Sequence, residues 1–222
     1  MHRAVLTSVS HDLKTPLACI IGSLEIYERS RDKLSLENKK TLLRTALQEA
    51  YRLDSYINNI LDMAQLESGA VKLRKEPCAM DHLLEDCLIS LGSRLNGCKV
   101  HIKAPEAVSI NTDPMLLMRT ICIVLDNAAK FGPAQQIIGV EYEQVGNQVV
   151  IRITDNGPGI PESKLEDIFS KYARFAIKDH KYAGTGLGLP ICRLIMRLLG
   201  GTVTAANIAD GKGAIFTLAF AA

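Results

Sequence analysis

Residues 155–160 read DNGPGI and follow directly on the strand-like run NQVVIRIT, residues 147–154. A carboxylate closing a strand can accept a hydrogen bond from an exocyclic amine of the kind adenine carries. The glycines after it let the backbone come close to a ligand. Taken alone, the run also fits an ordinary strand-to-helix turn, so its neighbours decide its meaning. Downstream, GTGLGL (184–189) sets three glycines at alternate positions just before a helical run. Backbone N–H groups there can approach a bulky anion, and the positive end of the helix faces it. Upstream, DNAAKF (126–131) ends a helix, and Asn127 offers a hard side-chain oxygen suited to Mg2+. Carboxylate, glycine turn and phosphate cradle in this order, with a helix-borne Asn before them, point to a nucleotide site.

Between the two glycine runs lies a polar, lysine-rich stretch with apolar anchors at Phe169, Tyr172 and Phe175. Long charged loops beside a glycine hinge are candidate lids, and Lys171, Arg174, Lys178 and Lys181 could neutralise phosphate charge. A solvated loop is the plain alternative.

The surrounding pattern from residue 70 onward is mixed. VKLRKEPC (71–78) reads as an entry strand and DHLLEDCLISLGSRL (81–95) as a helix. CKVHI and AVSIN are short strands. DPMLLMRTICIVLDNAAKF is a strong helix starting at Thr112 or Asp113. IIGVEYEQV and NQVVIRITDNG form a hairpin around a Gly-Asn turn. TGLGLPICRLIMRLLGG is a helix ended by glycines, and GTVTAANI and GAIFTLAFA are two further strands. This is an α/β sandwich, a mixed sheet with helices on one face.

The first 67 residues differ in texture, with one glycine (Gly22) and one proline (Pro16). Leu6, Val9, Leu13, Leu17, Ile20, Leu24 and Tyr27 step by three and four. After a polar break, Leu43, Ala46, Ala50, Leu53, Ile57, Ile60 and Ala64 do the same, with Ser35 as a helix start and Gly69 as a stop. A seven-residue repeat of this kind is the seam of a coiled coil or bundle. A helical hairpin buries two stripes poorly alone. It is expected to pair with a second copy into a four-helix bundle, the alternative being packing on the rest of its own chain. The fold class is therefore α+β: a dimerising hairpin over residues 1–69 and an α/β sandwich carrying the nucleotide motifs over 70–222.

Within the first helix, SHDLKTPL (10–17) puts an ionisable His11 next to Asp12. At about 100° per residue, and with Leu13 at zero, His11 falls near 160° and Thr15 near 200°. Both face away from the seam, one turn apart. Pro16 lacks an N–H, so the carbonyl of Asp12 loses its helical partner and Pro16 is a candidate bend point.

Bulk properties exclude several classes. The 222 residues carry a net charge of +2 and no Trp, unlike a dedicated nucleic-acid binder. No apolar run of about 18 residues is present to span a membrane. The six cysteines form no CxxC pair or zinc spacing and read as reduced thiols.

Together these motifs resemble, in order, the H, N, G1, F and G2 boxes of the sensor histidine kinases: SHDLKTPL, DNAAKF, DNGPGI, FSKYARF and GTGLGL. NNILDMAQLESGAVKLRKEP and GLPICRLI are most similar to the potassium-responsive KdpD branch. The resemblance implies a Bergerat-type ATP-binding domain after a phosphoacceptor hairpin, with ATP and Mg2+ as cofactors. It implies that His11 is the phosphoacceptor, with Asp12 and Thr15 assisting, Thr15 by placing a hydrolytic water. Asn127 would bind Mg2+ and Asp155 the adenine amine. Gly157, Gly159 and Ile160 would shape the adenine pocket. Gly184, Thr185, Gly186, Leu187 and Gly188 would support the lid and phosphates, with Lys130, Phe131 and Arg174 as further nucleotide contacts. The implied partners are a second copy of the chain and a response-regulator receiver domain, with no nucleic acid and no membrane contact in this stretch. The implied setting is cytoplasmic, as the soluble portion of a longer, membrane-anchored sensor. One departure stands out: the N box often carries a second Asn four residues before Asn127, and here that position is Ile123. A non-catalytic ATP-binding scaffold and an ATPase clamp of the gyrase or heat-shock type are the competing readings.

Overall fold

Two long helices, α1 (His2–Ser30) and α2 (Leu36–Glu67), open the computed structural model. It describes residues 2–104, 107–133, 135–171, 186–209 and 212–221, with backbone alone for 2–9 and 11. The chain forms two units, Met1–Asp62 and Met63–Ala222. Ser35 starts α2 as expected: its Oγ accepts the Asn38 N–H at 3.2 Å. That is half of a capping box, since Asn38 stands where a glutamate would reach back.

The hairpin corrects the phase of the expected seam. On α1 the side chains withdrawn from solvent include Leu13, Pro16, Ile20, Ser23, Tyr27 and Ser30. On α2 they include Leu42, Ala46, Glu49, Leu53, Tyr56 and Ile60. Each series steps by three and four, but Pro16 and Ser23 on α1 and Leu42, Glu49 and Tyr56 on α2 sit one residue before the positions read from the sequence. Leu17, Leu24, Leu43 and Ile57 instead stay 44–46% exposed. At Pro16 and Ser23 the residue withdrawn is one that a count of large apolar residues passes over. The helix is continuous through Pro16, which is buried. The leftover residues form a second apolar edge: Leu17, Ile21 and Leu24 on α1, and Leu43, Leu47, Ile57 and Leu61 on α2, all at least 44% exposed.

The second unit starts with β1 (Glu76–Ala79) and α3 (Met80–Leu91), followed by β2 (Cys98–Lys103), β3 (Ser109–Thr112) and α4 (Pro114–Phe131). β4 (Gln136–Val145) and β5 (Gln148–Asp155) form a hairpin. Then come α5 (Gly188–Leu198), β6 (Thr202–Asn207) and β7 (Ala214–Ala221). The five-stranded sheet has the order β2-β4-β5-β7-β6, parallel between β2 and β4 and antiparallel elsewhere, and β1 and β3 form a separate pair. Along β4, β5 and β7 burial alternates with period two, so one face carries the core. There Ile138, Ile151, Ile153 and Leu218 lie together with Leu117, Ile121 and Leu125 of α4 and Ile191 and Ile195 of α5, all at most 1% exposed. Each such side chain contributes roughly 1.5–3 kcal/mol by leaving water.

Two element boundaries differ most from expectation. The entry strand covers only residues 76–79 of the expected 71–78 and ends one residue later. Its upstream part is drawn elsewhere, because the Arg74 N–H donates to Asp113 Oδ2 at 2.9 Å. The helix read over 81–95 stops at Leu91, and a short 3-10 turn follows over Gly92–Leu95. Asp113, not Thr112, caps α4: its Oδ1 accepts the Leu116 N–H at 3.2 Å, with Pro114 at the first helical position.

Asp113 is 6% exposed and satisfies backbone donors from two segments. Asp113→Ala leaves both without an acceptor, so it should lower unfolding free energy by about 2 kcal/mol. Urea denaturation followed by circular dichroism measures this. A loss under about 0.5 kcal/mol, the lower end of capping effects, would contradict the role.

Candidate functional site

Asp155 is the last residue of β5 and is 9% exposed. Its Oδ1 accepts the Gly157 N–H at 2.8 Å and the Ala214 N–H at 3.2 Å. Its Oδ2 takes no hydrogen bond from the described residues. Burial pushes the carboxyl above the ordinary 3.8, outweighing those two N–H groups, which pull it down. Two glycines allow this packing. A Cβ on Gly157 would lie 2.8 Å from Asp155 Oδ1 and 3.0 Å from the Phe131 carbonyl oxygen. A Cβ on Gly213, at φ 110°, would lie 2.0 Å from the Asp155 carbonyl oxygen.

The loop is held on two further sides. Asn156 Oδ1 accepts the Ile137 N–H at 3.0 Å, and its Nδ2 donates to the Gln135 carbonyl at 3.3 Å. Ile160 donates its N–H to Asn207 Oδ1 at 2.7 Å and accepts from Asn207 Nδ2 at 2.6 Å. Gly159, at φ 75°, lies between these anchors.

Helix α4 links this loop to the second glycine run. Phe131, its last residue, meets Gly157 through its carbonyl. Two turns earlier, Ile123 Cγ2 is 3.0 Å from where a Cβ on Gly188 would stand. Positions 123, 127 and 131 are spaced by four, so Asn127 lies about 6 Å along the helix from each contact. Asn127 is half-buried, and its amide makes no hydrogen bond with the described residues. Ile123, the departure from the family pattern, is thus a packing contact between α4 and the start of α5. Leu187, at the N-cap of α5, makes no side-chain capping bond, and a helix N-terminus is where backbone amides can meet an anion.

The remaining expected residues divide. Lys130 is half-exposed and paired with Asp126 on the same helix. Phe131 is half-buried. Gly186 is at φ 67°, and the Leu187 side chain is 1% exposed, so what Leu187 can offer a ligand is backbone. Arg174, Gly184 and Thr185 lie outside the described residues. Before them, Phe169 is an anchor as expected: its ring meets Phe216 edge-on at 6.5 Å, and the Arg193 guanidinium sits 4.5 Å from its centroid. In the hairpin, Thr15 is exposed, whereas Asp12 is half-buried and accepts from the Tyr56 hydroxyl at 3.3 Å. His11 belongs to α1, with its side chain outside the described residues. Sequence reasoning missed Tyr56, Asn207, Gly213 and Ala214. Only the GKG turn hinted at one of them.

The raised pKa of Asp155 has a definite sign. Folding favours the protonated carboxyl, so this group's contribution to stability rises as pH falls from its folded pKa towards 3.8 and is unfavourable above. Asp155→Asn keeps an acceptor for Gly157 and Ala214 without the buried charge. Without ligand, its melting temperature at pH 7 should equal or exceed that of the unsubstituted chain, while affinity for ATP falls by about 10- to 100-fold. Calorimetry measures both. A destabilised variant with intact affinity would reverse the assignment.

Comparison with known proteins agrees with this arrangement. Residues 112–222 match the family described as histidine kinase-, DNA gyrase B-, and HSP90-like ATPase, and residues 1–69 match the His Kinase A (phospho-acceptor) domain. The sensor protein KdpD of Escherichia coli is 34% identical over 97% of this chain, and that of Clostridium acetobutylicum 30% over 96%. The chain spans about a quarter of these relatives, 24% of each. Among solved structures, histidine kinase AdeS of Acinetobacter baumannii aligns over 95% of this chain and 97% of its own, with a TM-score of 0.73 at 22% identity. Histidine kinase ThkA, solved in complex with response regulator protein TrrA, aligns over 98% of this chain and 61% of its own, with a TM-score of 0.77 at 19% identity. A phospho-acceptor module followed by an ATPase module of this type makes the chain a member of the sensor histidine kinase family.

Proposed function

We propose that this chain is the catalytic core of a longer, membrane-anchored two-component sensor, working on its cytoplasmic side. It takes the γ-phosphoryl group of ATP onto His11 and passes it to an aspartate of a response regulator. The observation that carries this reading is the α4 stripe, on which Asn127 lies between contacts to both glycine loops. The neighbour solved with a response regulator, and the quarter-length match to KdpD, support the partner and the longer sensor.

The residues suit a magnesium nucleotide. Asp155 Oδ2 is an acceptor for the adenine amine. The N-terminus of α5 suits phosphate. The half-buried Asn127 amide is a hard oxygen donor with no protein partner among the described residues. Bound there with the phosphates, Mg2+ would neutralise charge that develops on the transferred group. Gly157, Gly159 and Ile160 shape the base pocket, and Gly186 and Gly188 the phosphate end. Lys130, Phe131, Arg174, Gly184, Thr185 and the Leu187 backbone contribute around the nucleotide. A neutral His11 nitrogen attacks the γ-phosphorus in line, the bond to the bridging oxygen breaks, and ADP leaves. Asp12, oriented by Tyr56, receives the imidazole proton. Thr15 places a water for the reverse task, hydrolysis of the regulator's phospho-aspartate. The working division of the chain is 1–69 for dimerisation and phosphotransfer and 70–222 for ATP binding.

Autophosphorylation with γ-labelled ATP tests this reading. Acid-labile label should appear on the unsubstituted chain, vanish in His11→Gln and fall at least about 100-fold in Asn127→Ala, a loss typical of removing one electrostatic stabiliser. Label persisting in His11→Gln would overturn the assignment of the acceptor. ATP binding with no phosphohistidine would replace the kinase with a scaffold. Mixing the two variants gives label only if one subunit phosphorylates the other.

The exposed second edge of the hairpin supports a homodimer. Ile21→Lys with Leu61→Lys should convert a dimer of about twice the 24.3 kDa chain mass to monomer in sedimentation equilibrium. A dimer that survives both substitutions would place the interface elsewhere.

A further inference from the structure

The loop from Asp155 to Ile160 is gripped at both ends by one rung of the β6–β7 ladder. Asn207 and Ala214 are register partners on that rung. Ala214 gives its N–H to Asp155 Oδ1 at 3.2 Å, at the start of the loop. Asn207 closes two hydrogen bonds on the backbone of Ile160, at 2.7 and 2.6 Å, at its end. The primary amide matches the peptide group it faces, offering one acceptor and one donor in the spacing that a neighbouring strand would present. The rung is set from behind by Gly213, whose lack of a Cβ lets β7 begin against the Asp155 carbonyl, and by the Ile208 N–H bonded to the Gly213 carbonyl at 3.1 Å. Asn207 lies outside every motif in the sequence, 47 residues from its partner.

We propose that Asn207 is a positioning residue for the nucleotide base: by holding Ile160 to the rung that also holds Asp155, it fixes the acceptor for the exocyclic amine. This rests on the nucleotide reading of the site. Six residues clamped at both ends keep the carboxylate in one place, so little ordering remains when the base arrives. With one end released, the acceptor wanders, and preference for a base that donates at this position declines along with affinity. Packing alone would not link Asn207 to base preference.

The test compares ATP with ITP, which has a carbonyl in place of the exocyclic amine. Dissociation constants are measured by calorimetry on the whole chain, so that no readout depends on kinase turnover. Asn207→Ala removes both hydrogen bonds. Asn207→Asp keeps the shape and the acceptor but turns an oxygen toward the Ile160 carbonyl. In both, ATP should bind about tenfold more weakly, and the ATP-to-ITP affinity ratio should fall at least about threefold. Thermal unfolding identifies folded protein, and Asn207→Asp serves if Asn207→Ala does not fold. A wild-type ratio in a folded variant would overturn the role of Asn207 while leaving the nucleotide site intact. Failure of the unsubstituted chain to bind ATP would overturn the nucleotide reading and this inference with it.

Discussion

One oxygen of Asp155 receives N–H groups from both sides of the site, Gly157 within its own loop and Ala214 at the start of β7. The rest of the sandwich is arranged around that acceptor. Strand β5 must end there, Gly157 must lack a Cβ so that the Phe131 carbonyl can approach, and Gly213 must lack one so that β7 can begin against the Asp155 backbone. Burying a carboxylate costs free energy, and the raised pKa is the sign of that cost. The two backbone donors reduce the cost without abolishing it. The second oxygen takes no hydrogen bond from the described residues, and the burial of the group is a cost in stability.

Helix α4 spreads the same constraint across the site. Its N-terminus is fixed by Asp113, and its C-terminus meets the Asp155 loop. Between them, Ile123 packs on Gly188 at the first turn of α5. Ile123, where the family pattern often has Asn, therefore places an apolar side chain against the first turn of α5.

The hairpin follows a different logic. Its sequence carries a broad apolar band on each helix, and only part of each band is withdrawn from solvent within the chain. Pro16, Ser23 and Ala46 lie on the buried edge, and Ile21, Leu47 and Leu61 on the open one. Two edges of this kind are what a bundle of more than two helices uses. The hydrogen bond from Tyr56 to Asp12 ties a carboxylate next to position 11 to the opposite helix.

The amino-acid sequence by itself determined the element types and the order of the five motifs. These depend on local rules: periods of two and of three and four, caps such as Ser35 and Asp113, and glycines at close approaches. The tertiary structure alone decided which edge of each helical band turns inward, because that depends on what the facing helix presents. It alone decided that Asn207 and Ala214 grip the Asp155 loop, since partners 47 and 59 residues apart meet only through strand pairing. No local pattern marks an asparagine at a strand end as a clamp. The register of β6 on β7, set by burial of alternate residues on one sheet face, makes it one.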